Sequence, residues 1–196
     1  MAKKSLIDEK RIINNTRKKA PELIAGKARL GVIVRVCGDE GLSQATMDVF
    51  KRLRLDTPNQ CVFLKITEPM LQLLTIVSPY VIWGFPSVKT VTDIIYKRGF
   101  TLSPTSGKKT SINNQLIEDY FTPKGINLIC IEDLISELIN LSANFVEINT
   151  FMLPIKLNHP PKKILDVFSN GRKISPEDWK VAGRFHNVDS ILTKMV

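Results

Sequence analysis

The stretch from Trp83 to Phe100, "WGFPSVKTVTDIIYKRGF", decides how this chain folds. A tryptophan and a Gly-Phe-Pro turn lead into Ser87, a helix cap; Val88, Val91, Ile94 and Ile95 then recur at intervals of three and four, and Gly99 supplies a stop. That spacing predicts a helix from about Ser87 to Arg98 with one apolar face turned to a core. Lys97 and Arg98 in its last turn complement the negative end of the helix dipole. With Tyr96 and Phe100 they also form a basic and aromatic tip. Chemistry alone leaves two readings open, because such a tip can neutralise phosphates and stack an unpaired base, or its rings can be the margin of the core.

Upstream, "LGVIVRVC" (Leu30 to Cys37) is apolar on both faces except at Arg35, the pattern of an inner strand, and it ends in the turn Gly38-Asp39-Glu40-Gly41. A helix is expected from Ser43 to about Leu55, burying Val49, Phe50 and Leu53 while Lys51, Arg52 and Arg54 project elsewhere. A second strand in "DTPNQCVFLKI" sets Val62, Leu64 and Ile66 on one face. Thr67 can cap a further helix through Leu71, Leu74 and Val77, which Pro79 ends or kinks.

Downstream, "TLSPTSGKKTS" reads as a polar loop, and a short helix is expected around Asn113 to Phe121. In "INLICIEDLISELINL", Ile131, Leu134, Ile135, Leu138 and Ile139 mark the clearest amphipathic helix of the chain. "FMLPIKL" reads as a short strand at a sheet edge, since Pro154 cannot donate to a ladder. Residues 158–186 read as a tail lying over other surfaces, followed by a final helix in "NVDSILTKMV" capped by Asn187. No internal repeat is evident.

The chain has 196 residues, enough for one domain with appendages, and a net charge of +9 that favours a polyanionic partner. The charge is uneven. Residues 1–29 hold Lys3, Lys4, Lys10, Arg11, Arg17, Lys18, Lys19, Lys27 and Arg29 against Asp8, Glu9 and Glu22, so this arm alone carries +6. Laid along phosphates, such an arm releases condensed counterions. Ser5 and Asp8 have the spacing of a capping box, but Leu6, Ile7, Ile12 and Ile13 make no continuous stripe, so any helix here is expected to be ordered by its partner.

Other chemistries are poorly supported. Cys37, Cys61 and Cys130 lie far apart among apolar residues and read as reduced, buried hydrophobes; neither His159 nor His186 falls at metal-ligand spacing with them. "SGKKTS" fails as a phosphate loop, because Leu102 stands where the first glycine belongs and Lys109 displaces the hydroxyl residue. Glu132 and Asp133 read as dipole complements at a helix start, although a small enzyme using them, or Asp39 and Glu40, is a rival that would require a concave pocket. No apolar run reaches membrane-spanning length, and the first residues lack the apolar stretch of a signal peptide, which leads us to expect a reducing compartment.

"VSPYVIWGFPSVKTVTDIIYKRGF", with the Lys-Lys loop, "INNQLIEDYF", "GINLICIEDLISEL" and "FMLPIKL", closely resembles the family of large-subunit ribosomal protein thirty in its eukaryotic and archaeal form. The resemblance runs from about Leu30 to Leu157. It rests above all on Pro79, Tyr80, Trp83, Gly84, Phe85 and Pro86, and on Tyr96 to Phe100. It implies an α+β fold: a small ferredoxin-like β-α-β-α-β core (30–157) with added helices, a basic N-terminal arm (1–29) and a C-terminal tail (158–196).

The resemblance also implies a structural constituent of the cytosolic large ribosomal subunit, assembled in the nucleolus, with no catalysis, no cofactor and no metal. Its expected partners are large-subunit rRNA and neighbouring ribosomal proteins, with no membrane and no self-association. By position, Tyr96, Lys97, Arg98 and Gly99, the pair Lys108 and Lys109, and the basic arm match family features that lie against rRNA. Lys51, Arg52 and Arg54 are counted with them. A paralogous branch of assembly factors acting on pre-ribosomal large subunits is the alternative. Departures include an arm shorter and less dense than usual in the family, and Leu153-Pro154-Ile155-Lys156-Leu157 where relatives carry Trp-Pro-Phe-Lys-Leu.

Overall fold

Leu30 to Val36 can be apolar on alternate and intervening positions alike only if both faces of the strand they form are covered, and both are. The computed structural model describes residues 28–104, 107–162, 164 and 188–196. Lys3, Lys4, Lys10, Arg11, Arg17, Lys18, Lys19 and Lys27 of the arm, the cap Asn187 and most of the 158–186 tail lie outside the described residues. The elements follow as β1 (Arg29–Arg35), α1 (Gln44–Arg52), β2 (Gln60–Ile66), α2 (Glu68–Val77), a 3-10 turn (Ser78–Tyr80), β3 (Val81–Gly84) and α3 (Val88–Arg98). A hairpin of β4 (Phe100–Leu102) and β5 (Lys109–Ser111) comes next, then α4 (Asn114–Phe121), α5 (Ile131–Ile139), α6 (Phe145–Phe151), β6 (Ile155–Lys156) and α7 (Val188–Met195).

The expected α+β core is present, with β1-α1-β2-α2-β3 as its spine. Its four-stranded sheet has the order β3-β1-β2-β6 and is antiparallel at every pairing. Antiparallel sheets commonly leave one face to water. Here Ile33, Val62, Leu64, Ile66, Val81 and Trp83 meet α1 and α2 on one side. Val32, Val34, Cys61, Phe63 and Ile82 meet α3 to α7 on the other. Capping follows the sequence at α1, α3 and α4, where Ser43, Ser87 and Asn113 accept from the backbone N–H groups of Thr46, Thr90 and Leu116. Thr67 makes no side-chain cap.

Arg35 is the one charged residue of β1 away from its first position, and it is 1% exposed. All three nitrogens of its guanidinium are engaged: Nε donates to the Cys37 carbonyl at 3.0 Å and Nη1 to the carbonyls of Leu55 and Asp56, each at 2.9 Å. Nη2 pairs with Asp39, and the group lies over the Phe50 ring at 4.4 Å. It therefore ties the turns on either side of α1 to the sheet. The fork of five donors and the flat ring contact are what an arginine supplies and a lysine cannot.

The second layer is closed by α7, whose Val188, Ile191, Leu192 and Met195 are buried, each contributing about 1.5–3 kcal/mol. Asp189 accepts from the Ser87 N–H at 2.9 Å, while Arg98 donates through Nε to the Val196 carbonyl at 3.0 Å and through Nη2 to Asn158 at 3.1 Å. Starts and ends are thus matched, and α7 runs parallel to α3.

Three elements differ from the expectation. The polar loop is a β-hairpin, paired Phe100 to Ser111, Thr101 to Thr110 and Leu102 to Lys109. The strand expected over "FMLPIKL" narrows to Ile155–Lys156, at the sheet edge as Pro154 requires. Its first residue, Phe151, closes α6, a helix where β-branched residues dilute propensity but Phe145, Ile148 and Phe151 all bury one face.

Gly99 stops α3 for a reason other than a left-handed conformation, since its backbone is extended (φ −72°, ψ 125°). A Cβ there would stand 2.4 Å from the Ile95 carbonyl oxygen. Gly99→Ala is therefore expected to lower stability by about 1–3 kcal/mol in urea unfolding, as overpacking does. Arg35→Met, which leaves buried carbonyls unpaired, should cost about 3–5 kcal/mol in the same measurement, while Asp39→Asn at the exposed partner should cost far less.

Candidate nucleic-acid interface

The antiparallel sheet has two ends, and most described cationic candidates gather at one of them. β1 finishes there at Arg35, and β2 and β3 start there, with Cys61 opposite Val34 and Val81 opposite Arg35. α3 runs back to the same end, where Arg98 reaches Asn158 just beyond β6. The loop after Gly99 folds back beside it, since the Ile112 N–H bonds the Gly99 carbonyl at 3.2 Å. The hairpin turn is closed by Ser103 N–H to the Lys108 carbonyl at 2.9 Å, with Gly107 at φ +63°. Lys97 and Arg98 end α3 at the corner where the hairpin that carries Lys108 and Lys109 begins. From residue 94 to residue 117 no Asp or Glu interrupts them.

The candidates differ in what already holds them. Lys51, Arg52, Lys97, Lys108 and Lys109 are exposed. Lys97 is 3.8 Å from Asp93, a solvated pair of small energetic weight. The Lys109 ammonium sits 4.4 Å over the Phe100 ring. Arg54 instead directs its guanidinium to the carbonyls of Asn149 at 2.6 Å and Met152 at 3.1 Å, tying the turn after α1 to α6. Leu153 N–H bonds the Phe100 carbonyl at 2.9 Å, so the segment that holds Arg54 also abuts the hairpin. Arg98 is engaged with Val196 and Asn158, as described above.

Arg29 stands apart. It pairs with Ile66 at the opposite end of β1 and lies 4.2 Å over the Phe85 ring. The strand rise of about 3.4 Å per residue puts it about 20 Å from Arg35. Tyr96 is half exposed and donates to Glu132 at the start of α5. That bond holds the Glu132 carboxyl below the usual carboxylate range and pushes the Tyr96 hydroxyl up.

The carboxylates considered for catalysis do not converge. Asp39 belongs to Arg35, Glu132 to Tyr96, and Asp133 accepts from the Ile129 N–H at 3.4 Å; all of them, with Glu40, are exposed. A crevice lined by Arg54, Cys61, Asn149, Met152 and Pro154 holds about 10 Å³, room for one water. Among the described residues no group of three or more His, Cys, Asp and Glu side chains could hold a metal, and no helix is long and apolar enough to cross a membrane. All three cysteines are free; Cys61 is buried, and burial pushes its thiol up, while Cys37 and Cys130 are only partly covered.

Sequence reasoning listed the cations of this corner but missed the hairpin that positions two of them. The available signal was the matched short runs "FTL" and "KTS" around Gly107, weaker than any helical period in the chain. It also missed that Arg54 and Arg98 are spent on carbonyl and amide oxygens, which only tertiary contacts reveal.

No family model matches the chain. Among curated proteins it is 34% identical over 137 residues to large ribosomal subunit protein uL30 of Caenorhabditis elegans, a span covering 70% of this chain and 55% of that protein. The same identity over 134 residues relates it to uL30 of Dictyostelium discoideum, covering 68% and 53%. Drosophila melanogaster uL30 is 28% identical over 177 residues, covering 88% and 66%. The chain thus spans little more than half the length of the first two relatives. With the β-α-β-α-β spine and the motifs at Pro79–Pro86 and Tyr96–Phe100 in place, these relatives make the chain a member of the family of large ribosomal subunit protein uL30.

Proposed function

We propose that the chain is a structural constituent of the cytosolic large ribosomal subunit and that it binds large-subunit rRNA beside neighbouring ribosomal proteins, with assembly in the nucleolus. The observation that carries this reading is the cationic corner. On a chain of this family, Lys97, Lys108 and Lys109 are exposed together on a stretch free of carboxylates. Solvent-facing ammonium groups can neutralise phosphates, and affinity then derives largely from counterion release. Arg54 and Arg98 serve the surface by building it, and Lys51 and Arg52 extend it along the end of α1. The arm, entering the sheet at Arg29 from the other end, adds a second electrostatic contact.

The proposal has a direct electrostatic readout. Deleting Met1 to Lys27 should flatten the dependence of log K on log salt for an rRNA fragment, because each lost phosphate contact removes roughly 0.7–0.9 from the slope. The double variant Lys108→Ala, Lys109→Ala should lower the slope by up to about two contacts' worth without changing the urea midpoint. Slopes equal to the parent's in both variants would show these cations to be merely solvated.

A further inference from the structure

The β4–β5 hairpin is built inside out. Residues directly opposite in an antiparallel pair share a face, as do residues two apart on one strand. The pairings Phe100 to Ser111 and Leu102 to Lys109 therefore place these four side chains on one face, with Thr101 and Thr110 on the other. The threonine face is the one turned to the protein: Thr101 is 2% exposed and its hydroxyl donates to the Phe151 carbonyl at 2.7 Å. The apolar face is turned out, with Leu102 53% exposed and Phe100 partly so beneath the Lys109 ammonium. A hairpin serving only its own fold would carry the opposite arrangement.

Resting on the rRNA-binding reading, we propose that the outer face of this hairpin, Phe100, Leu102 and Lys109, receives an unpaired RNA base, so that the corner binds a loop or bulge and not only duplex phosphates. Leu102 with the exposed part of Phe100 beside it offers a base an apolar surface to pack against, and the adjoining Lys109 takes a flanking phosphate. Charge selects RNA over a protein segment as the occupant. Lys109, exposed and directly opposite Leu102, puts positive charge on this face, and the strand pair itself, Phe100–Leu102 and Lys109–Ser111, carries no carboxylate to meet a basic protein. Leu102 is a binding residue that no charge-based reading can find.

The test uses the full chain and two RNAs with equal phosphate number, one fully paired and one with an unpaired loop. The parent should prefer the loop RNA. Leu102→Ser, at a half-exposed position that leaves the melting temperature unchanged, should reduce affinity for the loop RNA by about tenfold while leaving duplex affinity and both salt slopes unaltered. Lys109→Ala should instead reduce the slope on both RNAs. Parental affinity of Leu102→Ser for the loop RNA would overturn the base contact while leaving the rRNA-binding reading intact, as would a selective loss of incorporation into subunits with RNA affinity unchanged, which assigns the face to a protein. Failure of the parent to bind either RNA would overturn both readings.

Discussion

Burial of an antiparallel sheet on both faces is the constraint from which the rest of this structure follows. Once α1 and α2 cover one side and α3 to α7 the other, no broad polar sheet face remains to present chemistry. Recognition is forced to the rim, where strands and helices end. Arg35 makes one such end rigid by collecting the carbonyls of Cys37, Leu55 and Asp56, so the turns flanking α1 are set by a buried group and not by their own weak preferences. The exposed cations at this end of the sheet therefore stand on a braced backbone frame.

Two kinds of cation serve this rim. Arg54 and Arg98 lie within a few residues of exposed cations in sequence, yet each turns its guanidinium to backbone or amide oxygens and secures α6 or α7. Lys97, Lys108 and Lys109 are exposed. This division fits the side chains themselves, since a planar fork suits several fixed acceptors and a compact ammonium on a flexible stem suits a mobile phosphate.

Much of this architecture could be read from the residues. The helices at Val88–Arg98, Asn114–Phe121 and Ile131–Ile139 announce themselves by capping side chains or by apolar spacing, and β1 and β2 by runs that no amphipathic helix would contain. What escaped has a common cause. The hairpin has three-residue strands with apolar residues facing outward, so the alternation that normally identifies a strand points the wrong way. α6 depends on the neighbours of Phe145, Ile148 and Phe151 more than on its own propensity. The roles of Arg35, Arg54 and Arg98 depend on acceptors as far as 98 residues away, a relation that no local pattern encodes.

The pairing of α7 with α3 bears on synthesis. The layer formed by α1 and α2 draws its buried residues from Ile33 to Trp83 and can close as soon as that segment has emerged. The other layer keeps Val91, Ile94 and Ile95 partly uncovered until Val188 to Met195 arrive, roughly a hundred residues later. At about 5–20 residues per second, a nascent chain exposes this apolar seam for several seconds. The seam closes when α7 docks and Arg98 takes hold of the Val196 carbonyl.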